Sequence, residues 1–355
     1  MKAILVLTSF LLATGLYAGE GYKVGDQAAN FKLNTHFPAD RFFLPFMLAS
    51  TAIIFLFISL LWKKRFLFSV AFSLIFSLSL SFHVFQANIY RNEWDRFEDF
   101  ITQVSWRIPS LKENTLLVTD QSTLQYYSDN SLTAALNWLY ANSNQDKTLP
   151  YLINFTDARL GRSLPSLSPS TKVIHNFRTH QFNGTTDQMI LFYHLPPGCL
   201  HVADPDLDPF NPLIDASIRS STALSKPDLI EAEVHQNQVF FGDDQKSGTW
   251  CYYYQKASLA AQNQDWQAVV ELGQTAFTLN DHPNDASERV PYIEAYAMSD
   301  DWQRAFDLTA DTIEVSELYQ PMLCRLWERI ESRSMSSQEK SKALEDVNEF
   351  LNCGF

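Results

Sequence analysis

Three aspartates in the run D-P-D-L-D-P, Asp204, Asp206 and Asp208, are the residues best placed to do chemistry. Alternating carboxylates are hard oxygen ligands suited to Ca²⁺, and a D-x-D pair can hold the divalent metal of a nucleotide-sugar transferase. Here Pro205 and Pro209 restrict the backbone, and no following Gly or distal Glu completes an EF-hand loop. The preferred reading is a solvated acidic turn with diverging side chains and no metal, the three aspartates remaining the weak candidates for one. Five histidines follow the same logic: His175, His180, His194, His201 and His235. A zinc or hydrolytic site needs two or three of them to converge with a carboxylate, and their spacings fit no ligand motif. Structural or surface roles are expected. Asp120, just after the apolar run Leu116–Val118, occupies the usual place of a catalytic carboxylate at a strand end. Every such sheet carries polar residues there, so no catalytic residue is assigned. With no G-x-S-x-G, P-loop or G-x-G-x-x-G motif, no cofactor is expected.

Cysteine chemistry is the next possibility. Cys199, Cys251, Cys324 and Cys353 all lie in the C-terminal half, and none has C-x-x-C spacing. In an oxidising compartment they permit two disulfides in three connectivities. Cys199–Cys251 and Cys324–Cys353 are favoured because each pair is nearest in sequence, while four buried reduced thiols stay open as the alternative.

The elements that would position these residues begin in a membrane. Two uncharged apolar runs, Phe43–Trp62 and Phe66 to about Phe85, flank Lys63-Lys64-Arg65. Each suffices to cross a hydrocarbon core of roughly 30 Å. The basic triplet predicts a hairpin turn kept in the cytoplasm, which places 19–42 and everything after about Ala87 outside it. A third apolar stretch, Ala3–Tyr17, reads as a signal-like or short transmembrane segment spanning 1–18. Ser69, Ser73, Ser77 and Ser81 recur every four residues and predict a close-packing seam in the second span. Asp40-Arg41 precedes the first span, where it would suit a lipid-linked substrate; an arginine snorkelling at the helix end is preferred.

Charge separates the two parts. Residues 1–90 carry 7 Lys+Arg and 3 Asp+Glu, and the remaining 265 carry 20 against 37, a balance of −17. That acidic body disfavours nucleic acid and anionic headgroups, whose recognition needs clustered Lys and Arg.

Periodicity then changes twice. Trp94, Phe97, Ile101 and Val104 continue a helical stripe that Pro109 ends. Short apolar runs at Leu116–Val118, Tyr151–Ile153, Lys172–Ile174 and Met189–Tyr193 predict strands, with a helix over Leu132–Ala141 capped from Asp129, Asn130 or Ser131. Strand–helix–strand of this length predicts a βαβ unit in an α/β domain over 88–225. From 226 to 355 the pattern is helical: Tyr252–Asn263 with Gln267–Leu279, and Val290–Met298 with Gln303–Ile313. A third pair follows, Leu323–Ile330 with Gln338–Leu351, where Ser336 and Glu339 have capping-box spacing.

Gln264-Asp265-Trp266 and Asp300-Asp301-Trp302 lie 36 residues apart, each followed by Gln, near the period of a helix–turn–helix repeat. This resembles the tetratricopeptide repeat. Asp265-Trp266 and Asp301-Trp302 fall at that family's turn residue and aromatic, Ala276 and Ala305 at small positions of its second helix, and Tyr296 at a first-helix aromatic. The family's first-helix Trp and Gly are missing, and Val269 replaces an early small residue. The resemblance implies that Trp266 and Trp302 form the repeat core, each buried within its own pair. A wider resemblance rests on Trp106-Arg107-Ile108-Pro109, Ser128 to Thr133, Pro196 to Leu200 and Trp250 to Tyr253. These runs are similar to those of uncharacterised bacterial polytopic membrane proteins with a soluble C-terminal region. That resemblance implies no activity, and it suggests a shortened version of a protein with more spans.

The expectation is a protein integral to the cytoplasmic membrane: a helical hairpin over 43–87, an extracytoplasmic α/β domain, and a C-terminal all-α repeat domain that binds a partner protein or peptide. The competing class is an enzyme, the C-terminal portion of a polytopic glycosyltransferase using a lipid-linked donor.

Overall fold

The computed structural model describes residues 39–60, 65–120, 124, 126–141, 147–232 and 248–354, with the side chains of 39–48 and 217 excepted. The expected turn residues Lys63 and Lys64, the segment 1–38 and His235 lie outside the described residues. The chain is mixed, mostly helical with small sheets, and divides into two compact units at Ala87/Asn88.

The first unit contains α1 (Ala39–Leu60) and the start of α2 (Arg65–Arg107). Among the described residues α2 is the one helix long and apolar enough to cross a membrane, and Ala49–Leu60 is a shorter apolar segment. Apolar side chains of both helices point outward, with Phe66 79% and Phe55 70% exposed. Ser69, Ser73, Ser77 and Ser81 are exposed too, along one face of α2. On another ridge of α2 the rings of Phe68, Phe72 and Phe76 stack successively at 6.2 Å.

The second unit opens with the C-terminal turns of α2. Its sheet elements are β1 (Ser110–Leu111), β2 (Thr115–Thr119), α3 (Asp129–Tyr140), β3 (Tyr151–Phe155), the short α4 (Thr156–Arg159), β4 (Lys172–Phe177), β5 (His180–Thr185), β6 (Met189–His194), β7 (Leu200–Val202), α5 (Ala216–Arg219) and β8 (Ile230–Glu231). The central sheet has order β3-β2-β6-β7. Leu116 pairs with Leu152 and with Met189 in parallel, and Tyr193 faces His201 in the antiparallel edge pair. β2–α3–β3 is the expected βαβ unit. Alternate residues serve opposite faces. Leu117, Ile153 and Ile190 meet Phe100, Val104 and Leu136 of the helices. Leu116, Leu152 and Leu191 meet Val173 and Phe182 of the β4–β5 hairpin. Both faces are dry, which is why these strands read as continuous apolar runs. The β5 strand, His180–Thr185, has no counterpart among the predicted strands, while β7, Leu200–Val202, carries His201 in strand-like sequence. β5 alternates polar and apolar weakly, and β7 has three residues.

The α3 cap differs from the expectation: Ser128 accepts from the Ser131 amide, and Asp129 instead pairs with Arg159. A buried carboxylate with a guanidinium partner is better used there than at a cap that serine fills.

Six helices complete the unit: α6 (Trp250–Gln262), α7 (Trp266–Ala276), α8 (Val290–Met298), α9 (Trp302–Val315), α10 (Gln320–Arg333) and α11 (Gln338–Leu351). They share one apolar core that includes Trp250, Tyr292, Leu323 and Trp327. The α6–α7 and α8–α9 turns match in backbone conformation and in caps. Gln264 and Asp300 adopt φ of 59° and 61°, and Asp265 and Asp301 accept from the amides of Ala268 and Arg304. The α11 cap is Ser337, which accepts from the Lys340 amide, one residue beyond the expected Ser336. Helix starts are set by which side chain meets the free amides of the first turn, and α11 begins at Gln338. The sulfurs of Cys199 and Cys251, and of Cys324 and Cys353, are bonded, tying the β6–β7 connection to α6 and the end of the chain to α10.

Candidate functional site

The acidic run leads to the site, though not as a metal cluster. Asp204 uses Oδ1 to accept the amides of Asp206 at 2.9 Å and Leu207 at 3.3 Å, the local turn that aspartate favours. Asp208 folds back on the same turn, its Oδ2 accepting the Asp204 amide at 2.7 Å and its Oδ1 the Asn211 side-chain amide at 3.0 Å. Helix α10 supplies the outer partners. Arg325, Arg329 and Arg333 recur every four residues and so share one face. Arg325 donates to Asp206 at 2.6 and 2.8 Å, and Arg329 to Asp204 at 2.6 Å. The turn is therefore gripped rather than solvated, and Asp208 is buried. A cation would have to displace arginines. Among the described residues no three His, Cys, Asp or Glu side chains form a metal-binding group.

Arg329 extends the network inward. Its Nη2 donates to Glu294 Oε2 at 2.7 Å, and Arg333 donates to Glu294 Oε1 at 3.1 Å. Burial works against the Arg329 charge, but the carboxylates of Asp204 and Glu294 outweigh it and hold its pKa above the ordinary value. Burial, with a smaller push from the Asp204 charge, lifts the Glu294 carboxyl above its usual range against the opposing pull of Arg329 and Arg333. For Asp208, burial and then the Asp204 charge push the carboxyl up to about 6, against the opposing pull of Asn211 and His201.

Behind the turn sits a second buried polar cluster. His201 Nδ1 lies 2.8 Å from the Tyr254 hydroxyl, and its ring stacks on Tyr193 at 4.7 Å. Its Nε2 is 3.7 Å from Asp285 and 3.8 Å from Glu288, too long for hydrogen bonds but within Coulombic reach. Burial disfavours the imidazolium, but Glu288, Asp285 and Asp208 more than offset it and raise the His201 pKa. Glu288 also accepts from the Trp250 indole and the Cys199 amide, both at 2.7 Å, and Asp285 accepts from Tyr319 at 3.0 Å. Every one of these carboxylates is engaged in holding the sheet edge to the helices.

Between the turn, the end of α2 and helices α6, α8 and α10 lies a cavity of about 320 Å³. Its walls include Arg107, Asp204, Asp228, Tyr254, Glu294 and Arg329. Arg107 is 3% exposed and donates from Nη2 to Gln262 at 2.9 Å, while its Nε and Nη1 have no acceptor among the described residues. Burial lowers its pKa to about 10, with Tyr254 and Asp204 opposing, so it stays charged at neutral pH.

The other histidines do not converge. His175 bonds Asn130 at 2.7 Å, His180 bonds Thr179 on the exposed hairpin, and His194 is buried beside Phe100, where burial lowers its pKa to about 4. Asp120 accepts from its neighbour Thr119 at 3.2 Å, and its main-chain oxygen takes the Asp157 amide. Of Asp40 and Arg41 only the backbone is described, within α1. Trp302 is buried and Trp266 half-buried, so the two tryptophans are equivalent in position but not in burial. Sequence reasoning passed over Arg107, Glu294 and the α10 arginines. The four-residue spacing of Arg325, Arg329 and Arg333 was the available signal, yet it also describes an ordinary solvated helix face.

The chain matches no known protein-family model, no curated protein and no solved structure.

Proposed function

We propose that the chain is a membrane-anchored protein whose C-terminal helix pairs form a tetratricopeptide-like scaffold for a partner protein or peptide. In this reading residues 88–355 lie on the extracytoplasmic side of the cytoplasmic membrane. The observation that carries it is the 36-residue equivalence of α6–α7 and α8–α9, which extends to turn conformation and caps. Equivalent positions also share burial: Ala257 with Ile293, and Val269 with Ala305, are all fully buried. Stacked pairs of this kind most often serve as binding surfaces, which is an argument from architecture. The apolar α2 supports the anchor. The basic triplet Lys63-Lys64-Arg65 supports the orientation, as do four cysteines paired as disulfides, which suit an oxidising compartment.

Alkaline phosphatase fused after residue 110 is expected to be active, and a cytoplasmic reporter there silent; the reverse sinks the orientation. For binding, photo-crosslinking residues at exposed Leu318 and Phe350 on the helix pairs are expected to give a discrete adduct in intact cells. The same probe at Lys172 on the hairpin should give none. Equal labelling from both regions, or none from the helices, removes the scaffold reading.

A further inference from the structure

The cavity behind the acidic turn carries an inference separate from the scaffold reading. Its charges are almost all committed. Arg329 satisfies Asp204 and Glu294, Arg333 shares Glu294, Arg325 holds Asp206, and Asp208 is bound within its own turn. Arg107 stands out: a buried guanidinium whose Nε and Nη1 both meet no acceptor among the described residues, where Arg329 leaves its Nε alone unmet. Leaving such donors unmet in the interior is unfavourable, so a ligand that accepts from them gains what the fold forgoes. Asp228 is the second exception. It lines the same cavity and is exposed; among the described residues its main-chain oxygen accepts from Lys112 at 2.9 Å and its carboxylate has no hydrogen-bond partner. A bare anion would reach Arg107 past five wall carboxylates that outnumber the three wall arginines. A ligand carrying both charges avoids that repulsion. Val202, Leu207, Val290 and Met322 offer apolar wall for a side chain. The volume lies at the lower end of small-molecule sites, roughly 300–1,000 Å³.

We propose that this cavity binds a zwitterionic small molecule of the free α-amino-acid class, its carboxylate on the Arg107 guanidinium and its ammonium group toward Asp228. The test uses the full chain in detergent or nanodiscs and the twenty common L-amino acids, each beside its carboxamide and its N-acetyl derivative, read by calorimetry. At least one free amino acid is expected to bind with Kd below about 100 μM. Amidation and acetylation should each weaken that binding about tenfold or more, a loss of about 1.4 kcal/mol. Arg107→Gln should lose at least as much as amidation, and Asp228→Asn should lose only what acetylation loses. Because Arg107→Gln risks misfolding, the ligand series on the unaltered protein is decisive. Absence of any binding tighter than about 1 mM overturns the proposal. So does a carboxamide that binds as well as its parent acid, or acetate that binds as well as the amino acid.

Discussion

The α6–α7 and α8–α9 pairs share a turn and differ at nearly everything the turn brings together. At the helix crossing the first pair has Gly273, where an added Cβ would come within 2.9 Å of the Tyr292 ring. Thirty-six residues on, the second has Thr309, which donates to Ala305 and accepts the Trp327 indole at 3.1 Å. Ser258 of the first pair corresponds to Glu294 of the second, the carboxylate that receives Arg329 and Arg333. The backbone device is local and repeats. Side-chain identity follows the neighbour instead: α7 meets the aromatic face of α8, while α8 meets the arginine face of α10.

The largest test of this contrast is Arg329→Met. It leaves buried Glu294 with Arg333 alone of its two guanidinium partners, and a loss of about 3 kcal/mol is expected in denaturant unfolding. Ser258→Ala in the first pair should stay within about 0.5 kcal/mol; similar losses from both would mean the pairs do not differ as described. Trp302→Ala should then cost about 3 kcal/mol, at the low end for emptying a large core site. Trp266→Ala, half-buried, should cost about half of that, and equal costs would restore the symmetry that the repeat alone suggests. Gly273→Ala is expected to cost about 1–3 kcal/mol by overpacking Tyr292, whereas in an open helix the same change would stabilise by up to about 1 kcal/mol.

The turn that α10 grips gives an effect on the order of 3 kcal/mol with a pH signature. Asp208 is raised above the ordinary carboxylate range to about 6, so its contribution is present below about pH 4 and lost as pH rises through 6. The stability of Asp208→Asn relative to the unaltered chain should therefore climb between pH 4 and 6.5; a pH-independent gap would contradict the burial. The smallest effect sharpens the comparison from the other side. Asp265→Ala and Asp301→Ala each remove one cap and should cost about 1 kcal/mol, equally. Unequal costs would show that the turns are not the equivalent devices their backbones suggest.

Local and pairwise features were legible in the chain itself. The apolar α2, the strand runs at Leu116–Val118 and Met189–Tyr193, and the Asp-Trp steps could be read directly, because backbone periodicity and capping depend on residues within a turn of one another. The Asp204–Asp208 run was legible as acidic but not as gripped, because its partners Arg325 and Arg329 lie about 120 residues away. Arg107 could not be told from an ordinary helix-end cation until its neighbours were placed around it. Sequence alone therefore determined the long helices and the most apolar strands, since those depend on short-range periodicity, sterics and hydrogen bonding. Only the tertiary structure decided which charges meet, which are left over and where a cavity opens, because burial and Coulombic pairing depend on distances that chain order does not contain.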